Sequence, residues 1–297
     1  MNTILISGAG GLLASEFLKQ LFDSEPNAQV IALSGSCGKL REIWQNKPNL
    51  SFFSWNELDQ LPFETVSTVI HCAFARTEEG PDLLRSLELT KLLLSKTAPL
   101  RIPFISISSR SVYGQNPATP WTENTALSPA TPYALAKAAQ ELLVSQAGEQ
   151  CGFPYTNLRL AGLIGVGMDA RLIARLVKSA VDTGKLTCVG GMQQFALLDI
   201  RDAAAGLLAM LKVPANSWER VYNLGHSDTA TLDEIASAVK LVAFRDYHRH
   251  VSIAKQSREV SLVDGMDCSR FRTATGWDRR CTLEDTIRNL FEHYRTL

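Results

Sequence analysis

Tyr133 and Lys137 stand four residues apart in SPATPYALAKAAQE, residues 128–141, with only Ala, Leu and Ala between them. On a helix this spacing stacks phenol and ammonium on one face. One ammonium within about 4 to 6 Å of an acidic group lowers its pKa by roughly one to three units, so the chemistry open to the pair is proton transfer through a phenol. The structural alternative is a helix capped by Thr131, with Pro132 in its first turn and Lys137 solvated beside Glu141. Ser109 ends the apolar run in PFISISSRSVYGQNP. A hydroxyl at the C-terminal edge of a parallel sheet faces the crevice where ligands bind, although a lone Ser there is more often a turn-former.

A second constellation is glycine-rich. In ILISGAGGLLASEFL, Gly8, Gly11 and Ala14 follow the first apolar run and open the first helical pattern, with Leu12 and Leu13 inside the turn. A tight turn, a bare backbone and a small residue at these positions let a pyrophosphate approach the helix N-terminus. This spacing predicts dinucleotide binding. The second strand, QVIAL, ends at Ser34, where an NAD-binding unit commonly carries an acid for the adenosine ribose. Ser34, Ser36, Lys39 and Arg41 are suited instead to a 2′-phosphate, so NADP is placed slightly ahead of NAD.

These residues need a scaffold. Short apolar runs (TILIS, QVIAL, STVIH, PFISIS, YTNLRL) alternate with longer helical patterns, which predicts parallel strands joined by crossover helices and a sheet covered on both faces. The expected fold is α/β: a Rossmann-type doubly wound parallel sheet with a smaller, mixed α/β C-terminal substrate lobe. The dinucleotide-binding domain is placed at residues 1–165, with a contribution from about 196–228. Residues 166–297 form mainly the interleaved substrate lobe. There, helical runs near 171–181 and 202–211, strands KLTCV and RVYNLG, and a capping box at Thr231 and Glu234 are expected.

Bulk properties narrow the function classes. Thirty Lys and Arg balance thirty Asp and Glu over 297 residues, which leaves no strong field for nucleic acid or an acidic membrane. Six scattered cysteines, without a CxxC pair or a His at ligand spacing, suit a reducing cytosol and no metal site. With no basic leader before TILIS and no apolar stretch of membrane-spanning length, the chain reads as soluble and cytoplasmic, with a small-molecule substrate.

The order of the glycine loop, VIHCA, SSRSVYG and PYALAK, followed by YNLG and DCSRFRTATGW, resembles the extended short-chain dehydrogenase/reductase family, in particular its NAD-dependent epimerase/dehydratase branch. The resemblance covers essentially the whole chain. It implies Tyr133 as acid/base, Lys137 as its electrostatic partner and a ribose ligand, and Ser109 as the hydroxyl that orients the substrate oxygen. Bringing a phenol from about 10 to neutral pH takes roughly 4 kcal/mol, which an ammonium and an oxidised nicotinamide supply together. VIHCAFA, residues 69–75, would lie along the cofactor, with Cys72, Ala73 and Ala75 as contacts and the alanines leaving it room. Asn56 would stand in for an Asp against the adenine, and a homodimer through paired helices is a family expectation.

Two departures bear on the substrate. Sugar-nucleotide dehydratases of the family carry acids just after the active-site hydroxyl, where this chain has Arg110 and Ser111. Dehydration is therefore disfavoured, and Arg110 becomes a candidate substrate contact. Phe195 occupies the place of an Arg that usually grips the substrate pyrophosphate, and Arg258 falls where a second phosphate-binding Arg is often found, with Glu259 and Val260 replacing the usual Gly-Asp. The leading expectation is an NAD(P)-dependent epimerase or ketoreductase acting on a sugar carbinol or ketone, with a nucleotide sugar as substrate. The alternatives are an NADP-dependent reductase of a non-nucleotide carbonyl compound and a non-catalytic dinucleotide sensor.

Overall fold

The computed structural model describes residues 3–117, 119–258 and 264–296. Seven parallel strands form the central sheet: β1 (Thr3–Ser7), β2 (Gln29–Ser34), β3 (Leu50–Ser54), β4 (Val66–His71), β5 (Phe104–Ser109), β6 (Tyr155–Leu160) and β11 (Val221–Leu224). Their order, β11-β6-β5-β4-β1-β2-β3, reverses direction at β1. That reversal leaves a crevice beyond the carboxyl ends of β1 and β4, the place where an open α/β sheet takes a ligand.

Near-continuous apolar runs make these strands suitable for a sheet buried on both faces. Leu5, Ile6, Ile70, Ile105 and Leu158 are fully buried. On the flanks lie α1 (Leu12–Ser24), α2 (Gly38–Ile43), α3 (Gly80–Thr97), α4 (Pro132–Cys151) and α6 (Ile200–Leu211), the last packed against α1. Ser7 pairs with both Leu33 and His71, and Ser109 pairs with Leu160, so the glycine turn and the serine hydroxyl emerge from the same sheet edge.

The later part of the chain builds a second layer with its own core. Between β6 and β11 come β7 (Gly162–Ile164), α5 (Leu172–Thr183), β8 (Lys185–Val189), β9 (Gln194–Phe195) and β10 (Leu197–Asp199). After β11 follow β12 (Ala230–Thr231), α7 (Leu232–Tyr247), β13 (Ser252–Gln256), α8 (Ser269–Thr275) and α9 (Leu283–Arg295). Helices α5, α7 and α9 bury Ile173, Val177, Ile235, Val239, Leu290 and Phe291 against one another. Both halves of the Thr231–Glu234 capping box form at the start of α7. Because β11 returns to the sheet after this excursion, the lobes are interleaved along the chain.

Candidate active site

The glycine turn fits a diphosphate for reasons visible in its backbone. Gly8 adopts φ +71°, and a Cβ there would lie 2.6 Å from the Ala73 amide nitrogen. Only glycine satisfies both the left-handed conformation and the close approach of the two strand ends. Gly11 precedes α1 without a side-chain cap, leaving the first-turn amides of a thirteen-residue helix without a side-chain acceptor at their cap. Such an end receives an anion. Next to it, Ser34 closes β2 with its hydroxyl 3.3 Å from where a Gly10 Cβ would stand. Lys39 is exposed on α2, and Arg41 donates from Nη2 to the Phe52 carbonyl at 3.2 Å.

A cleft of about 410 Å³ runs from this turn to the candidate triad, and its walls include Gly11, Leu12, Leu13, Cys72, Ser109, Arg110, Tyr133 and Lys137. Thr131 Oγ1 accepts from the Ala134 amide at 3.2 Å, and Pro132 begins α4, so the capping half of the structural alternative holds. Its solvated lysine does not. Lys137 is 4% exposed, donating to the Ile107 carbonyl at 2.7 Å and to Gln140 Oε1 at 2.9 Å. Burial depresses its ionisation to about 7, partly opposed by Cys72 and Glu141. Glu141 is committed to a buried ion pair with Arg159 at 2.7 Å and accepts from Ser108.

Tyr133 has two arginines among its neighbours besides the expected Ser109. Burial holds its phenol above the ordinary value, although nearby Arg76, Ser109 and Arg171 pull it down. Arg76 sits over the ring at 5.6 Å from its centroid. Lys137 instead places its ammonium 3.9 Å from the centre of the Phe74 ring, and Phe74 meets Tyr133 edge-on at 6.1 Å. An aromatic side chain therefore lies between Tyr133 and Lys137, in contact with both. The small residues between Tyr133 and Lys137 have another use: Ala134 and Ala136 are buried in the packing of α4, and Leu135 is exposed.

The segment after β4 also departs from expectation. Cys72 and Phe74 line the cleft, whereas Ala73 backs onto Gly8 and the Ala75 amide donates to Ser86 at 3.0 Å. Cleft-facing positions continue with Arg76 and Glu78, and Glu78 also accepts from the Tyr133 amide at 3.0 Å. Residues 72, 74, 76 and 78 thus share one face of an extended run. The two-residue period of such a run was the signal available for Phe74 and Arg76.

Three substrate candidates are scattered by the fold. Arg110 lines the cleft, but its guanidinium also pairs with the buried Asp264 at 3.0 Å. Phe195 belongs to β9, opposite Ala230, and lines a separate cavity of about 200 Å³ with Asp199, His226 and Arg279. It is absent from the described walls of the Tyr133 cleft because β9 belongs to the second layer. Arg258 is exposed beyond β13 and likewise absent from those walls, and Glu259 and Val260 lie outside the described residues. Asn56 is exposed just after β3.

The NAD dependent epimerase/dehydratase family has a sequence model that matches residues 4–225, from the first strand through β11. The chain belongs to that family. Among relatives, it is 27% identical over 253 residues to human dTDP-D-glucose 4,6-dehydratase, covering 78% of this chain and 71% of the relative. It is 26% identical over 316 residues to an uncharacterized UDP-glucose epimerase of Bacillus subtilis, covering 99% and 98%. Its fold is similar to that of UDP-glucuronic acid 4-epimerase from Bacillus cereus, solved with NAD, at TM-score 0.82, 20% identity and coverage of 99% and 97%. UDP-N-acetylglucosamine 4-epimerase from the same organism gives TM-score 0.83 at 19% identity, over 100% and 98% of the two chains. Arg110 and Ser111 directly follow Ser109, and the Ser111 hydroxyl donates to Ser109 Oγ at 3.0 Å.

Proposed function

We infer that this protein is an NAD(P)-dependent epimerase or ketoreductase acting on a carbinol or ketone of a nucleotide sugar. The observation that carries this reading is that Ser109, Tyr133 and Lys137 line one cleft, which continues to the uncapped Gly11 turn. The dinucleotide, when bound, supplies reversible hydride transfer at the substrate carbon. Gly8, Gly11, Leu12 and Leu13 hold its diphosphate by backbone. Ser109 orients the substrate oxygen, and Tyr133 removes or returns the proton on that oxygen. The arginines beside the phenol assist by favouring phenolate. Arg110 and Ser111 supply no carboxylate after Ser109, which supports epimerisation or reduction over loss of water.

Incubation with NAD and UDP-, GDP- or dTDP-hexoses, followed by NMR, tests the reading. Inversion or reduction at one ring carbon is expected. Loss of water from the sugar overturns it in favour of a dehydratase. Turnover of simple ketones alone favours the second reading, an NADP-dependent reductase of a non-nucleotide carbonyl compound, which the absence of Phe195 and Arg258 from the described cleft walls supports.

For the cofactor we place NADP slightly ahead, because Ser34 lacks the charge that repels a 2′-phosphate and Lys39 is exposed nearby. Calorimetric titration decides this: NAD binding tenfold tighter, about 1.4 kcal/mol, reverses the order. The cofactor lobe comprises residues 1–165 with about 196–228, and the remainder carries substrate. Exposed Leu84 and Leu92 on α3, with Leu135 and Leu142 on α4, support a homodimer through these helices. All six cysteines are free, which fits a cytoplasmic location. Among the described residues no helix is long and apolar enough to cross a membrane.

A further inference from the structure

Three arginines from three separate elements meet at the cleft beside Tyr133. Arg76 comes from the extended run after β4, Arg110 from the turn after β5, and Arg171 from the cap position just before α5. We propose that Arg76, Arg110 and Arg171 form a receptor for a carboxylate carried by the substrate's sugar ring, next to the carbon that Tyr133 serves. This assignment rests on the nucleotide-sugar reading above and narrows it to an acidic sugar.

The argument begins with charge balance. Gathering guanidinium groups in a partly buried cleft is unfavourable unless an anion joins them. Arg171 registers that cost: burial, then Arg76 and Arg110, depress its ionisation to about 10. The acids at hand, Asp264 and Glu78, set two negative charges against three guanidiniums and leave one positive charge over. Asp264 pairs with Arg110, and Glu78 accepts from the Tyr133 backbone, while no ion pair to a carboxylate is found for Arg76 or Arg171 among the described residues. A guanidinium grips two carboxylate oxygens at once, so two or three of them around one opening define an oxyanion site with a set orientation. The α5 N-terminus reinforces it, because its cap position carries no side-chain acceptor.

Position distinguishes the source of the anion. Arg76 stacks on the Tyr133 ring, so the bound anion lies close to the reacting carbon. A substrate diphosphate held there would bring the anomeric carbon to the phenol, and that carbon bears no free hydroxyl. A carboxylate on the ring is compatible with a free carbinol beside it.

Calorimetry on the NAD-loaded protein with UDP-glucuronate, UDP-glucose and UDP tests the assignment. UDP-glucuronate is expected to bind at least tenfold tighter than UDP-glucose. Arg171→Gln and Arg76→Gln should each erase most of that preference while UDP affinity stays unchanged, which also shows that the variants are folded. Equal affinity of the wild-type protein for the two sugars overturns the proposal. A parallel loss for UDP and both sugars also overturns it and reassigns the arginines to the diphosphate. If UDP and both nucleotide sugars fail to bind, the nucleotide part of the functional reading falls, and D-glucuronate against D-glucose becomes the deciding pair. A carboxylate preference that Arg171→Gln removes then sustains the receptor, and no preference overturns it.

Discussion

The Lys137 ammonium lies 3.9 Å from the centre of the Phe74 ring and donates to the Ile107 carbonyl. A ribose that reaches this lysine has to displace the ring. Phe74→Ala should therefore tighten NAD binding several-fold, at a small cost in stability because the side chain is only half-buried. Weaker binding in this variant, measured by calorimetry, would show that Phe74 is itself a cofactor contact.

Tyr133→Phe removes one hydroxyl and leaves the ring's packing against Phe74 and Arg76 in place. Turnover should fall at least ~100-fold, the usual scale of positioned acid/base catalysis, with cofactor affinity unchanged. Turnover within a few-fold of wild type would sink the proton-relay role.

His71 sits fully buried between Ser7 at 2.6 Å and Thr90 at 2.9 Å. Burial, reinforced by Lys137, depresses its pKa from 6.5 to about 3. The unfolded chain binds a proton on this group between those values and the folded chain does not, so the stabilisation is complete above pH 6.5 and is lost as pH falls toward 3. Each pH unit in that window costs up to about 1.4 kcal/mol. Thermal melts of wild type and His71→Gln from pH 7 to 4 should give a flatter acid limb for the variant. Parallel limbs would mean that His71 is not responsible.

Arg159 and Glu141 form a 2.7 Å ion pair with both side chains nearly inaccessible, and Arg159 Nη1 also donates to the Tyr113 phenol at 2.9 Å. Arg159→Met strands a buried carboxylate and should destabilise the fold by about 3–5 kcal/mol. Adding Glu141→Gln should recover part of that loss in a denaturant titration. A single variant as stable as wild type would show that water reaches Glu141.

Much of the scaffold is legible in the chain because local rules and the fold agree there. Apolar runs of strand length, the Thr131 cap with Pro132, and the Thr231–Glu234 box each report an interaction completed within a few residues. The glycine turn is similarly legible, since φ +71° at Gly8 is a demand on one residue.

By itself the sequence determined that a parallel sheet with a dinucleotide-type turn would form, and that Ser109, Tyr133 and Lys137 would emerge near its edge. Those outcomes depend on periodicity, turn chemistry and strand order. Tertiary structure alone decided what surrounds the phenol. Arg171 joins the Tyr133 cleft only because the chain entering α5 returns to its wall, and Phe195 misses it because β9 pairs with β12 in another layer. Whether Lys137 faces solvent, cofactor or an aromatic ring depends on contacts between residues 63 positions apart in the chain, Phe74 and Lys137, and no local propensity encodes a contact at that separation.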